Sequence, residues 1–142
     1  MIIRIFIIIL TMLFFQAQAK ENKFFNEAKK LYEEKKYQDA KFLFQKNIVY
    51  DPKHASSYLY LAKIFKIEEE EAKEEKNLNT ALLLDPQNEE AIYLLIDIEL
   101  KRSNFSKAKE LNSNFKKICS TLCSKLSSIE NRLKEFDKKD AS

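Results

Sequence analysis

The chain has 142 residues, a formal net charge of +3 at neutral pH, no glycine, no tryptophan and two prolines. That length holds one modest apolar core, and 25 basic residues interspersed with 22 acidic ones leave no basic stripe with interleaved aromatics, so no nucleic-acid partner is expected. The missing glycine excludes the P-loop and the dinucleotide fingerprint, in which backbone must approach phosphate where a Cβ would stand.

Residues 1–19 place Arg4 beside the amino terminus, then an apolar run from Ile5 to Phe15, then Gln16-Ala17-Gln18-Ala19. These are the three parts of a Sec-type signal peptide, with Ala17 and Ala19 small enough for the pockets of signal peptidase. The expectation is cleavage before Lys20 and an exported protein, periplasmic or secreted. Loss of Arg4 lowers the charge from +3 to +2. The run is short for about 30 Å of hydrocarbon. An uncleaved anchor is the alternative, and it is the one route by which a membrane would be met. No cysteine follows the run, so lipoprotein processing has no acceptor.

Asp51-Pro52 and Asp85-Pro86 stand 34 residues apart, each closing an apolar run. Phe42, Phe44, Ile48, Val49 and Tyr50 precede the first, and Leu78 and Ala81 to Leu84 precede the second. Proline stops the preceding helix and suits the first turn of the next. The apolar periodicity predicts helices over 22–35, 37–50, 52–66, 68–84, 88–101 and 105–118, with Asn104 capping the sixth.

With this period and these closures, residues 21–119 resemble the tetratricopeptide repeat family. The resemblance rests on Phe24, Ala28, Leu31, Tyr37, Ala40 and Phe44 in a first unit, and on Tyr58, Leu61, Ala62, Phe65, Leu78, Ala81 and Pro86 in a second. Ile92, Leu95, Phe105 and Ala108 mark a degenerate third. Glu27, Asn47, Glu74, Ile96 and Glu99 depart from the pattern. Glu74 falls where a small residue lets paired helices approach, and the neighbouring Ala72 suggests that the fourth helix is rotated or shifted in register. The resemblance implies an all-α fold, a short right-handed solenoid of antiparallel helix pairs. It puts Ala40 at the close-contact position and leaves Ser57 as a site that tolerates charge.

Past the repeats, Ile118, Leu122, Leu126, Ile129, Leu133 and Phe136 recur every three or four residues, one face of an amphipathic helix over 120–137 before a disordered tail at 138–142. Two readings stand open. The helix caps the last apolar face of the array, or it is a coiled-coil seam through which an exported structural protein self-associates.

Cys119 and Cys123 are the only cysteines. With one distant histidine they cannot complete a zinc set, and the Cys-x-x-Cys spacing of redox enzymes is absent. In an oxidising compartment an intrachain disulfide is expected, with free thiols or an interchain link as alternatives. Residues four apart on a helix lie about 6 Å apart with their Cβ atoms tilted alike, so a bond requires a break near Ser120 and Thr121. His54 is expected in solvent. The acidic run Glu68 to Glu71 reads as a polar face answered by Lys66, Lys73 and Lys76. No constellation calls for a metal or cofactor, and no enzymatic activity is expected.

In the resembled family the first helix of each repeat lines a concave surface. Carried over, that surface comprises Phe25, Lys29 and Tyr32, then Leu59, Lys63 and Lys66, then Tyr93, Asp97 and Lys101. The resemblance thus implies an adaptor or scaffold for a protein or peptide partner, with aromatics providing contact area and lysines meeting carboxylates, although some of these residues pack between helices. Phe25 and Leu94 stand where chaperone-tail-binding members carry basic residues, so an acidic chaperone tail is not the expected ligand. The oligomeric state and the partner's identity are left open. N-terminal sequencing of the exported protein is expected to read from Lys20, and an intact Met1 species in the membrane fraction would refute the cleaved leader.

Overall fold

The computed structural model describes residues 23–139, with side chains to residue 135, so the expected leader, the final residues 140–142 and the Phe136 side chain lie outside the described residues. Helix α1 occupies 23–33, followed by α2 (Tyr37–Tyr50), α3 (Ala55–Ile67), α4 (Glu71–Leu84), α5 (Glu89–Lys101) and α6 (Phe105–Ile118). A single 3-10 turn (Cys123–Lys125) leads into α7 (Leu126–Lys139). No strand occurs among the described residues.

The turns inside the pairs repeat with the sequence period. Lys35, Glu69 and Ser103, each 34 residues from the next, sit at φ of 60°, 59° and 60°. At each, the following N–H reaches back five residues, from Lys36 to Leu31 (2.9 Å), Glu70 to Phe65 (2.9 Å) and Asn104 to Glu99 (2.9 Å). This is the left-handed helix stop that glycine usually supplies. Without glycine, a Cβ is carried into that region at about 1 kcal/mol per site. The stop also displaces α4, which begins at Glu71 and not at Glu68.

The turns between pairs use aspartate. Asp51 Oδ1 accepts from the N–H of Lys53 (3.1 Å), and Asp85 Oδ1 from that of Gln87 (3.2 Å). The next helix is then capped by His54, whose Nδ1 accepts from the Ser57 N–H (3.2 Å), and by Asn88, whose Oδ1 accepts from that of Ala91 (3.0 Å). His54 is therefore not the solvated residue expected of it. Its ring is half-buried, 4.5 Å from that of Phe25, and its bond to an N–H requires an unprotonated Nδ1. Asn104 makes no side-chain cap on α6, and its amide nitrogen donates to Glu99 Oε2 (2.8 Å).

Two apolar clusters run through the stack. One joins Ala28, Ala40, Phe44, Leu61, Ile64 and Phe65 across the first three helices. The other gathers Leu78, Ala81, Ile92, Leu95, Ile98, Phe115, Ile129 and Leu133 across the remainder. Ala28 and Ala40 are both 0% exposed, as close helix approach demands. Glu74 holds the equivalent place in the second pair at 4% exposure while Ala72 is exposed, so the expected rotation of α4 does not occur. Ser57, read as tolerant of charge, is 0% exposed and accepts from Asn47 Nδ2 (3.0 Å), which shows why a polar residue occupies position 47.

The C-terminal helix is not continuous over 120–137. α6 stops at Ile118, Cys119 is extended, and α7 starts only at Leu126 and runs to Lys139, two residues into the expected tail. Ile118 and Leu122 thus belong to other elements. Leu126 and Ile129 repeat Ile92 and Leu95 at the 34-residue spacing, and with Leu133 they pack on the array as the first helix of a further unit would. That burial leaves the described part of α7 without a free apolar seam.

Ala40→Glu is expected to cost about 3 kcal/mol or more, since it buries an unpaired charge among apolar neighbours, whereas Ala72→Glu stays within about 0.5 kcal/mol. Equal shifts of the chemical-denaturation midpoint in the two variants would contradict the pairing of α1 with α2.

Candidate binding face

The first helices of the units carry the residues that sequence reasoning placed on the inner surface. At the N-terminal end, Phe25 packs edge or tilted against Phe44 (5.7 Å), His54 (4.5 Å) and Tyr60 (5.8 Å). It is a packing residue as much as a contact one. Tyr32 lies edge-on to Tyr60 (5.1 Å) and Tyr37 (5.5 Å), and Lys29 is exposed. Burial pushes the Tyr32 and Tyr60 phenols above their ordinary pKa. Lys63 holds this group together. Its ammonium is 4.8 Å from the Tyr60 ring centre, 5.4 Å from that of Tyr32, and 2.8 Å from Glu90 Oε1. Tyr60 was not anticipated, since the inherited pattern of inner-face positions skips it.

One turn further along α3 and two along α5, three cations converge on Asp97. Lys66 and Lys101 each approach Oδ2 at 3.2 Å, and Arg132 of α7 approaches Oδ1 at 3.0 Å. Burial opposes the charge on Asp97, but hydrogen bonds from Arg132, Lys66 and Lys101 outweigh it and hold the carboxyl below its usual pKa. Lys66 therefore does not answer the acidic run, as expected from sequence. Glu68 instead accepts from Lys41 (2.6 Å) and Gln38 (2.7 Å), and Glu71 pairs with Arg102 (2.7 Å). Glu74 comes close enough to feel the same lysines. Burial still raises its carboxyl above the usual range, with Lys66 and Lys101 only partly compensating.

Beside these groups, Leu59, Gln87, Asn88, Glu89, Glu90, Thr121 and Leu122 line an open cavity of about 470 Å³. Its walls come from α3, the start of α5 and the turn after α6. Leu59 itself is buried, so it is wall and not anchor. Tyr93 is half-buried, 6.3 Å from Phe115, with Lys125 5.9 Å from its ring centre. Among the described residues no group of three or more His, Cys, Asp or Glu side chains is placed to hold a metal ion, and no helix is long and apolar enough to cross a membrane.

The third turn is built differently from the first two. Cys119 falls 34 residues after Asp85, and Ser120 falls where proline would. Cys119 and Cys123 are joined as a disulfide across a Cα separation of 5.2 Å, with the helix broken between them as the sequence geometry requires. The exposed N–H groups are taken by Glu89, from the first turn of α5. Its carboxylate accepts from the backbone of Ser120 (2.8 Å), Thr121 (3.1 Å) and Leu122 (3.2 Å), and from the Thr121 hydroxyl. That hydroxyl first, and then the Ser120 N–H, bring the Glu89 pKa down to about 2. The one sequence signal for Glu89 was indirect: a turn lacking both aspartate and proline needs a carboxylate from elsewhere.

No family model matches the sequence, and no curated protein does. Solved structures match in shape. The Arabidopsis OM64 TPR domain superposes with a TM-score of 0.73 at 15% identity, over 84% of this chain and 98% of that one. The chain has the tetratricopeptide-repeat fold. The first TPR domain of Spaghetti (RPAP3), bound to the HSP90 peptide SRMEEVD, gives 0.70 at 17% identity, covering 87% of this chain and 95% of that one. The Yersinia enterocolitica type III secretion chaperone SycD, in complex with a peptide of the translocator YopD, gives 0.70 at 16%, covering 84% and 93%. In this tetratricopeptide stack the third closing turn is the divergent one.

Because the Glu89 pKa lies below the ordinary 4.5, its network adds stability above pH 4.5 that is lost as pH falls toward 2. The gap in melting temperature between the wild type and Glu89→Gln is expected to be largest near pH 7 and to close by about pH 2. A gap independent of pH would mean that the carboxylate does not cap the turn.

Proposed function

We propose that this protein is an exported adaptor or scaffold that holds a protein or peptide segment against the face formed by α1, α3 and α5. The observation that carries the reading is the continuity of that face. Lys63 joins half-buried Tyr32 and Tyr60 to Glu90, a residue of the cavity wall, and half-buried Tyr93 lies one turn along α5 from Glu90. Aromatic rings that are already ordered offer contact area at low entropic cost. Two solved structures of the same fold hold peptides, from HSP90 and from YopD, which supports a peptide as the ligand class. The solved neighbours are peptide-binding and chaperone proteins, and we read this chain likewise as a binder and not an enzyme. The leader and the paired cysteines support a location outside the cytoplasm.

An acidic chaperone tail fits poorly. Leu94 is buried, Phe25 lies in a ring cluster, and the Lys66 and Lys101 ammonium groups are directed at Asp97. Self-association through α7 also lacks support, as Ile129 and Leu133 lie in the core.

The test is an array of twelve-residue peptides probed with the purified protein, followed by alanine variants that retain wild-type helicity. Tyr32→Ala and Tyr93→Ala are each expected to weaken the best peptide by about 2 kcal/mol, roughly 30-fold. Lys29→Ala and Lys101→Ala should act chiefly on association rate and salt dependence. Binding that survives loss of both tyrosines and vanishes with the lysines would overturn this reading of the face.

A further inference from the structure

We propose that the Cys119–Cys123 disulfide is a thiol–disulfide exchange site for a dithiol reductant, and that its opening loosens one wall of the binding cavity. This rests on the proposed function only for its consequence for binding. The exchange site itself rests on geometry.

In the first two closing turns, Asp51 and Asp85 tie the backbone locally, a proline follows, and His54 or Asn88 caps the next helix. In the third, all three devices are missing. Two others hold it, the disulfide along the chain and the Glu89 carboxylate across it. Thr121 and Leu122, inside the closed loop, are also part of the cavity wall, and α7 begins three residues after Cys123. A change at the bond is therefore transmitted to the wall and to the cap. The bond closes a loop of only five residues, so it restrains the turn far more than the whole chain. The main array does not depend on it, since the first cluster lies in α1 to α3 and most of the second in α3 to α6, with Ile129 and Leu133 contributed by α7.

Access favours exchange at one sulfur. Cys123 is exposed and Cys119 half-buried. One thiolate of the reductant attacks Cys123 Sγ, the Sγ–Sγ bond breaks, and Cys119 leaves as a thiolate that takes a proton from water. The second thiolate of the reductant then attacks its own sulfur in the mixed disulfide. Cys123 is released and protonated, and the reductant departs oxidised. Two electrons and two protons end on the cysteine pair. Without the bond the turn is held by Glu89 alone.

The experiment compares backbone amide exchange in the purified protein before and after reduction by dithiothreitol, and by a thioredoxin-class protein dithiol, with the Cys119→Ser/Cys123→Ser variant as a reductant-free counterpart. Exchange at Ser120, Thr121 and Leu122 is expected to rise at least about tenfold on reduction, extending into α7, while α2 to α5 stay protected. Unchanged exchange at 120–122 would overturn the exchange site. Collapse of protection throughout the array, in both the reduced protein and the serine variant, would overturn it too, because the bond would then be a staple for the whole fold. The peptide array is run on both redox forms, with about tenfold weaker binding expected after reduction. Equal binding despite a loosened turn would remove the link to the cavity. No binding in either form would sink the proposed function while leaving the exchange result intact.

Discussion

The burial of α5 on nearly every side is the constraint on which the C-terminal half depends. Ala91, Ile92, Leu94, Leu95, Ile96, Ile98 and Leu100 are all buried, because α4, α6 and α7 meet around this helix. Each large side chain removed from water contributes about 1.5–3 kcal/mol, so α5 has a strongly preferred seat. Its position then sets the rest. Glu89, Glu90 and Asp97 project from the sides that remain accessible, toward the third turn, Lys63 and the cation cluster respectively. The binding face is thus what the packing of α5 leaves uncovered.

A chain without glycine must form sharp turns by other means, and the solutions differ in rigidity. Inside the pairs, Lys35, Glu69 and Ser103 accept left-handed backbone, with the strain offset by the hydrogen bond that ends the helix. Between pairs, aspartate and proline do the work twice. At the third junction a covalent bond and a carboxylate from 31 residues away replace them. The junction so built borders the cavity, which couples a local chemical state to the shape of the face.

Charge on the face is largely satisfied internally. Lys63 is held by Glu90 and two aromatic rings, and Lys66, Lys101 and Arg132 share Asp97. Pairs this exposed contribute little stability. They do orient the long side chains, so that a ligand meets ordered rings and tethered ammonium groups. Buried polar groups elsewhere follow another logic. The Asn47 amide nitrogen is answered by Ser57, whereas its Oδ1, like one oxygen of Glu74, is buried without a partner, and burial raises the Glu74 pKa.

The amino-acid sequence by itself determined the first six helices, their 34-residue period, the two Asp-Pro closures and the need for a break between Cys119 and Cys123. These are local patterns, written in spacings of three, four and 34 residues. Most of the first-helix residues could be named for the same reason. Tertiary structure alone decided that Ser57 is buried against Asn47, that His54 caps α3, that Glu74 is enclosed without α4 rotating, and that Leu59 is wall and Tyr60 surface. It also decided that Glu89 reaches Ser120, and that Lys66 turns from the acidic run to Asp97. Partners such as these lie about 30 residues apart on different helices. Their meeting depends on how neighbouring pairs stack, a distance of a few ångströms set by core packing that leaves no spacing to read along the chain.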